Sequence, residues 1–406
     1  MAISIKESLI VGLSDFWSRK IRSFVTITGI VLGTMSIIVV LSLVKGINKK
    51  TLAWMMERGG LSKITVRRNW EYPKDTHLKR HFSLKEFNLI RSLTPEAKYF
   101  NPQIRQFYQV SQGAKKYWSG IYGILPDFAN VEEWTVSEGR FISDFDVNQS
   151  NDVVVIGSTV KEELFGKKKA IGKFITVNGR RLQIIGLMEH RFLKGDFMRE
   201  NALSYLNRRA FVPISTMIHK IISEDEITSF GVKAESPESA PELREKLENV
   251  ILNLRHGEPV FRVESAQEEA ESMEKESATF RIIFFVISII SLLVGGIVIM
   301  NIMLASIQER TREIGIRLTV GARRIDIFLQ FLVQTILVTA IGGILGIIIG
   351  LSILDVVSKF LGFELIAGFS MIIIAVLVSM GVGFVFGISP AIKASKLNLV
   401  EALRYE

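Results

Sequence analysis

Four long apolar runs without a single charged residue constrain this chain more than any other feature. One, residues 23–44, stands near the N-terminus, and three follow late, at 282–308, 327–354 and 365–392. Each reaches the roughly 20 apolar residues that an α-helix needs to cross the hydrocarbon core of a bilayer. In lipid a backbone must satisfy its own hydrogen bonds, so these runs are expected to be transmembrane helices. Residues 45–281, between the first and second run, are polar and long enough to build a core of their own. The expected fold class is an α-helical membrane protein: four transmembrane helices with a large extracytoplasmic α/β domain between helices 1 and 2.

Lysine and arginine orient the spans. Lys6, Arg19, Lys20 and Arg22 precede the first, Arg310, Arg312, Arg317, Arg323 and Arg324 follow the second, and Lys393, Lys396 and Arg404 follow the fourth. The hairpin at 355–364 offers only Asp355, Lys359 and Glu364. The positive-inside rule therefore places both termini, the 309–326 loop and the 393–406 tail in the cytoplasm, with the hairpin and the large domain outside. The first run is longer than a signal-peptide core and no small-residue cleavage pattern follows it, so an uncleaved anchor is expected. Ahead of it, Ile5, Leu9, Leu13 and Phe16 share one helical face, which suggests an amphipathic helix over residues 1–22 at the cytoplasmic interface.

A net charge of +9 raises nucleic acid as a partner. Topology accounts for the cytoplasmic cations, and an external domain does not meet nucleic acid, so none is expected. The chain has no cysteine. That excludes disulfides, thiol catalysis, thiolate metal sites and cysteine lipidation.

The large domain reads as mixed α/β. Residues 64–67, 106–110 and 117–125 have strand character, with a short helix at 84–93. A compact stretch follows: a buried-type strand at 152–156, a helix at 158–165 with Ser158 as N-cap, and a hairpin at 173–188 turning on Asn178-Gly179. Residues 229–234, 241–255 and 259–264 read as strand, helix and strand. The acidic stretch 265–279 has helical composition and runs into the second span, as a stalk would.

Catalytic chemistry is sparse. His77, His81, His190, His219 and His256 lack zinc-protease spacing; His77 and His81 could share a helical face but have no third ligand nearby. No nucleophile-elbow serine pattern occurs. Glu132-Glu133 and Glu268-Glu269 are expected to be solvated acidic pairs. Residues 166–173 imitate a phosphate loop, but five residues instead of four separate Gly166 from Gly172, and Phe174 stands where a magnesium-binding hydroxyl would be. A solvated basic turn is the better reading. No catalytic, cofactor or metal residue is assigned, and no enzymatic activity is expected of the chain.

The spans contain no Asp, Glu, Lys, Arg or His, which disfavours a channel or a secondary transporter. They do carry glycines at helix-packing spacing: Gly29 and Gly33 in the first, Gly342, Gly346 and Gly350 in the third, Gly383 and Gly387 in the fourth. Such spacing serves close packing within one subunit or a dimer interface.

Specific motifs lie after the second span, ERTREIGIRLTVGARR at 309–324, and after the fourth, SPAIKASKLNLVEALRYE at 389–406. Together with Arg22-Ser23-Phe24, Gly29 to Gly33, and the external segments Gly139-Arg140-Phe141, 153–157, 164–166, 171–172 and 177–179, these resemble the MacB/FtsX-type permeases of ABC transporters. Thr319 stands where the family often has alanine, and Leu399 where a proline commonly precedes the last helix.

The resemblance implies a multi-pass protein of the bacterial inner membrane that works as a homodimer with a cytoplasmic ABC ATPase dimer. That ATPase, which binds the ATP, is expected to be a separate polypeptide, so the permease itself holds no cofactor. The resemblance further implies a periplasmic adaptor and, where the host has an outer membrane, an outer-membrane channel. Function would be mechanotransmission: ATP-driven motion inside reshapes the external domain and drives export of amphiphilic drugs, peptides or lipids. Glu309, Arg310, Glu313 and Arg317 would face the ATPase, with Arg310, Glu313 and Arg317 on one helical face and Gly315 and Gly321 shaping the turn. A local reading of Glu313 and Arg317 is an ion pair at i, i+4 spacing. The alternatives within the resemblance are a lipoprotein-releasing permease and a division-type regulator that activates a cell-wall hydrolase.

Overall fold

The computed structural model describes residues 20–73, 77–195, 200–362 and 364–397, with side chains from Ile27 onward. Two compact units divide the chain, one of residues 49–275 and one of residues 1–48 with 276–406.

The first unit is entered by the end of α1 (Lys20–Met56). Its elements then follow as β1 (Lys63–Arg68), α2 (Leu84–Leu93), β2 (Tyr99–Gln112), β3 (Lys115–Ile124), α3 (Phe128–Glu132), β4 (Val136–Gly139) and α4 (Asp144–Asn148). After these come β5 (Val153–Ile156), α5 (Ser158–Phe165), β6 (Phe174–Val177), β7 (Arg180–Met188), α6 (Ser204–Asn207) and β8 (Arg209–Pro213). A short α7 (Ile214–Thr216) passes into a π-helical turn (Met217–Ile222), and β9 (Ser229–Lys233), α8 (Ala240–Leu254) and β10 (Phe261–Ser265) complete the unit.

Strands β10, β1, β9 and β2 lie side by side in that order, all antiparallel, with α2 joining β1 to β2 and α8 joining β9 to β10. This is a β-α-β-β-α-β arrangement with β3 to β8 inserted between its second and third strands. In the insertion, β2 pairs β3, β3 pairs β8, β8 pairs β5, β5 pairs β7, β7 pairs β6, and β6 returns to β2 through Val110↔Val177 and Ser111↔Thr176. These pairings close a ring of strands, a small barrel that shares β2 with the open sheet.

Alternation explains the layers. Ile64 and Val66 of β1, Phe100 and Ile104 of β2, and Phe230 and Val232 of β9 point to one side, where α2 and α8 cover them with Phe87, Ile90, Leu243, Leu247 and Ile251. The same apolar cluster runs on through the ring, where Val110, Ile121, Val154, Val177, Leu182 and Ile184 are fully buried. Helix α2 starts at a capping box, Ser83 Oγ accepting from Glu86 N while Glu86 Oε2 accepts from Ser83 N at 2.8 Å. The β6–β7 turn has positive φ at Asn178 (48°) and Gly179 (76°), the two-residue geometry that matches strand twist. A second cluster, with Tyr122, Phe128, Trp134 and Phe211, lies on the opposite face of β3 and β8. Phe128 and Phe211 centroids are 4.7 Å apart, and Trp134 Nε1 donates to Glu189 O at 2.8 Å.

Several local expectations are corrected here. The strand expected at 106–110 is the second half of the longer β2, and β4, β8, α3, α4, α6, α7 and the π turn had no sequence expectation. Gly157, not Ser158, is the N-cap of α5; Ser158 is its first residue, and its hydroxyl lies 2.8 Å from His190 Nδ1. Of Glu132-Glu133, expected to be a solvated pair, only Glu133 is exposed. Glu132 is buried at the end of α3 and accepts from Lys63 Nζ at 2.8 Å, and Glu133 pairs with Lys233. Burial pushes the Lys63 ammonium pKa down, with Glu132 opposing the shift. Gly166 (φ 60°) caps α5 and Gly172 (φ 78°) sits in the turn to β6.

The second unit contains the helices long and apolar enough to cross a membrane: α1, α9 (Ala266–Glu309), α11 (Arg324–Leu361) and α12 (Phe369–Ser395), with the short α10 (Thr311–Thr319) after α9. Helix α1 does not stop with its apolar run but carries residues 45–50 on to Met56, and α9 takes in the acidic stretch from its first turn. Helix α11 ends on Gly362 at φ 73°, where a left-handed residue closes the last turn. The amphipathic helix expected over 1–22 lies outside the described residues except for 20–22, which open α1.

Candidate functional site in the loop after the second span

Helix α9 ends at Glu309, and Arg310, with non-helical φ, caps the start of α10. The arginine-rich loop is thus a helix–turn–helix, since Gly321 at φ 101° reverses the chain into α11. At the entry of α11, Asp326 Oδ2 accepts from Arg323 N at 3.1 Å, placing a carboxylate in the first turn.

Packing sorts the loop into two sides. Thr311, Ile314 and Gly315 are buried, and Ile314 joins an apolar cluster with Ile307 and Ile327. Arg312, Glu313, Ile316 and Thr319 are exposed, as are Arg323 and Arg324 beyond the turn. Val320 is 84% exposed and Ile316 is 49% exposed, so two aliphatic side chains stand among charges with little protein over them.

This sorting redistributes the residues expected to contact an ATPase. Glu309 and Glu313 are exposed, whereas Arg310, the N-cap, and Arg317, one turn beyond Glu313 on α10, are half-buried. Arg317 donates from Nη1 to Gln330 Oε1 at 2.9 Å, an internal tie between α10 and α11. Gly315 does not shape the turn: it lies inside α10 on the buried side, and Gly321 alone of the two has positive φ. In the sequence, Arg312, Arg323 and Arg324 counted only as charges that orient the spans, and Ile316 and Val320 were not singled out. The apolar pair at i, i+4 within a charged loop was the available signal.

The packing glycines come together within the chain. A methyl at Gly29 would come within 2.9 Å of Gly295 Cα in α9, and one at Gly33 within 2.6 Å of Leu292. On α11, Gly342 faces Ile30 and Gly346 faces Thr34 and the Val31 carbonyl, while Gly350 has ordinary contacts with Met35 and Ile38 of α1. On α12, Gly383 and Gly387 face Thr339 and Thr335 of α11. Helix α1 therefore packs against both α9 and α11, and α12 packs on α11. Gly295 and Gly343, not anticipated, belong to the same seams against Gly29 and Ser379, and Gly296 of α9 faces Phe386 of α12. Thr34 and Thr335 donate their hydroxyls to Ile30 O and Phe331 O of their own helices at 2.8 and 2.9 Å, so these seams bury polar atoms already satisfied.

Comparison with known proteins agrees with this architecture. The family described as MacB-like periplasmic core domain matches residues 23–250, and the one described as FtsX-like permease C-terminal matches residues 285–399. A macrolide export ATP-binding/permease protein MacB of Bdellovibrio bacteriovorus is 31% identical over 98% of this chain and 62% of its own length. The chain thus spans about three fifths of that relative. The uncharacterised ABC transporter permease YvrN of Bacillus subtilis is 30% identical over 98% of this chain and 100% of its own length. Among solved structures, the periplasmic region of MacB from Actinobacillus actinomycetemcomitans covers 54% of this chain and 95% of its own, at 20% identity and a TM-score of 0.45. With four membrane-spanning helices, an extracellular β-rich domain between the first two, and both family matches in register with them, the chain belongs to the MacB/FtsX-like family of ABC transporter permeases.

Proposed function

We propose that this permease, as a homodimer, transmits the ATP-driven motion of a separate cytoplasmic ATPase dimer to its extracellular domain and so drives export of amphiphilic drugs, peptides or lipids. The reading places both termini and the α10 loop in the cytoplasm, with an extracytoplasmic adaptor on the outer side and an outer-membrane channel where the host has one. The observation that carries it is the outward side of α10, where Ile316 and Val320 lie exposed between Arg312, Glu313, Arg323 and Arg324. A small apolar centre with a charged rim is how a protein-docking surface is built. Glu309 and Glu313 contribute to the rim, and Arg310, Gly315, Arg317 and Gly321 hold the loop in shape. Glycine-seamed spans without an ionisable group support transmission of motion over a polar path through the bilayer.

The test is a crosslinked pulldown of the full chain from native membranes in mild detergent, with partners identified by mass spectrometry. Recovery of an ABC ATPase, crosslinked through residues 312–324, is the expected result. Recovery of the intact permease dimer with no ATPase under any condition refutes the proposal.

A further inference from the structure

The extracellular domain has a second feature that the ATPase-coupling reading does not use. On the face of the open sheet opposite α2 and α8, the outward residues of β1, β9, β2, β3 and β8 border a cleft of about 470 Å³, within the size range of ligand pockets. Its wall includes Arg58, Lys63, Arg67, Arg105 and Arg209, against one carboxylate, Glu132. That carboxylate is taken by Lys63, and Arg67 is held by Glu264 at 2.6 Å. Among the described residues, Arg58, Arg105 and Arg209 meet no carboxylate.

These arginines are nonetheless fixed in place. The Arg105 guanidinium lies 4.6 Å from the Phe107 ring centroid and 6.0 Å from that of Tyr122. Arg209 lies 4.7 Å from Tyr122 and 5.3 Å from Tyr205, and Arg58 lies 4.1 Å from Trp54. Stacking leaves the guanidinium edges, which carry the N–H donors, free to bond. Arg209 Nε is buried and has no hydrogen-bond partner, an unmet donor inside the cleft wall.

The same face continues into an apolar strip. Strand register sets Arg105 opposite Tyr122, Phe107 opposite Gly120, and Gln109 opposite Trp118, so Phe107 and Trp118 follow Arg105 outward along one face. They are 57% and 66% exposed, large aromatic surfaces left uncovered beside a cationic pocket.

We propose that this cleft binds the phosphate head of an anionic amphiphile, Arg105 and Arg209 clamping the oxyanion across Tyr122 while the apolar part lies on Phe107 and Trp118. The inference deepens the export reading and rests on it, since it names the cargo chemistry the extracellular domain accepts. Arginine forks match phosphate oxygens bidentately, and only a ligand carrying both an anion and an apolar part satisfies both halves of the face.

The test uses the full chain in zwitterionic lipid nanodiscs, titrated calorimetrically with octyl phosphate, inorganic phosphate and octyltrimethylammonium. Octyl phosphate is expected to bind saturably and at least roughly tenfold more tightly than inorganic phosphate, since its alkyl chain adds apolar burial. Arg105→Gln with Arg209→Gln should weaken octyl phosphate by roughly tenfold or more, the loss of two charge-assisted hydrogen-bonding groups. Phe107→Ser with Trp118→Ser should bring octyl phosphate down to the level of inorganic phosphate. Arg105→Lys with Arg209→Lys keeps the charge and restores part of the affinity, which separates binding from misfolding. Equal affinity for the cationic amphiphile, no saturable binding, or binding untouched by the arginine variants each overturns the proposal. So does loss of a copurifying extracytoplasmic protein from the arginine variants without any phosphate binding, which would make the face a protein interface. ATPase copurification is measured on the same preparations: its absence counts against the export reading, and its presence without octyl phosphate binding counts against the cleft alone.

Discussion

Replacing Val320 and Ile316 together by serine gives the most direct test of the docking surface, because Val320 has little to lose inside the permease and Ile316 only part of its burial. Full burial of an aliphatic side chain of this size contributes about 1.5–3 kcal/mol. Val320, 84% exposed, retains nearly all of that for a partner, and Ile316, 49% exposed, retains about half. Taking about 1.5 and 1 kcal/mol, the double variant should lose about 2.5 kcal/mol of ATPase binding, a fall in affinity on the order of 50–100-fold. Val320 gives up almost no burial inside the permease, whereas the half of Ile316 already covered contributes about 1 kcal/mol there, so the thermal midpoint should fall slightly while ATPase binding falls by more. The assay is titration of the copurified ATPase onto nanodisc-embedded permease, wild type against variant. An affinity within about twofold of wild type, where a factor of ten is 1.4 kcal/mol, would show that α10 does not dock through this side. Inverting Arg317 to glutamate is a poorer probe. Its guanidinium ties α10 to Gln330 of α11, so the variant would disturb the loop itself.

Gly346→Ala forces a methyl against Thr34 and the Val31 carbonyl, and should destabilise the helix bundle by about 1–3 kcal/mol, read as a lower unfolding temperature in detergent. Gly381→Ala, where a methyl meets nothing within 4 Å, should show no such loss. In the extracellular domain, Asp146 is buried and accepts from Arg140, Ser143 and Asn151, with Arg140 Nη1 at 2.5 Å. Burial alone would raise its pKa, but these hydrogen bonds outweigh it and hold the carboxyl well below the usual range. A depressed folded pKa contributes stability that is present above the unfolded value and lost as pH falls toward the folded one. Asp146→Asn should therefore destabilise the domain by about 2–3 kcal/mol at neutral pH, with the gap to wild type narrowing below about pH 4 in chemical denaturation. A gap independent of pH would contradict the assignment.

Features that depend on near neighbours in sequence were open to reading. Charge-free runs long enough to cross a bilayer read directly as spans, and Asn178-Gly179 between alternating apolar residues sets a hairpin before any partner is known. The ring of strands was not legible, because β6 meets β2 by joining Val177 to Val110 across a long stretch of chain. Glu132 looked solvated for the same reason: the lysine that buries it precedes it by 69 residues. In the coupling loop, composition drew attention to the charges. Which of them face outward is decided by where Ile314 packs, against Ile307 and Ile327, and that turns Arg317 inward and leaves Val320 out. Gly315 read as a turn because glycine favours turns, yet there it occupies the crowded side of a helix.

The connection of strands to spans makes a sharper claim about transmission. Helix α1 leads through residues 57–62 into β1, and β10 passes into α9 with no residue between them. These two strands are neighbours, paired over five residues from Ile64↔Ser265 to Arg68↔Phe261. The extracellular ends of the chain that lead to the first two spans are therefore tied by a ladder whose hydrogen bonds contribute about 1 kcal/mol net each, too much for the pair to slide freely. Under the proposed transmission, motion carried by α1 and α9 would meet this ladder as a tied pair of strands, and α9 is the helix that joins it without a linker. Inserting Gly-Gly-Ser between Ser265 and Ala266 replaces that joint by a flexible linker without touching β10 pairing. ATP hydrolysis by the assembled complex should continue while export fails. Cysteines at Arg67 and Arg262, which face each other across the ladder in a chain free of other cysteines, should leave both intact when oxidised. Full export by the insertion variant would mean that the domain is driven by something other than α9, and a block by the disulfide would mean that the strands must part.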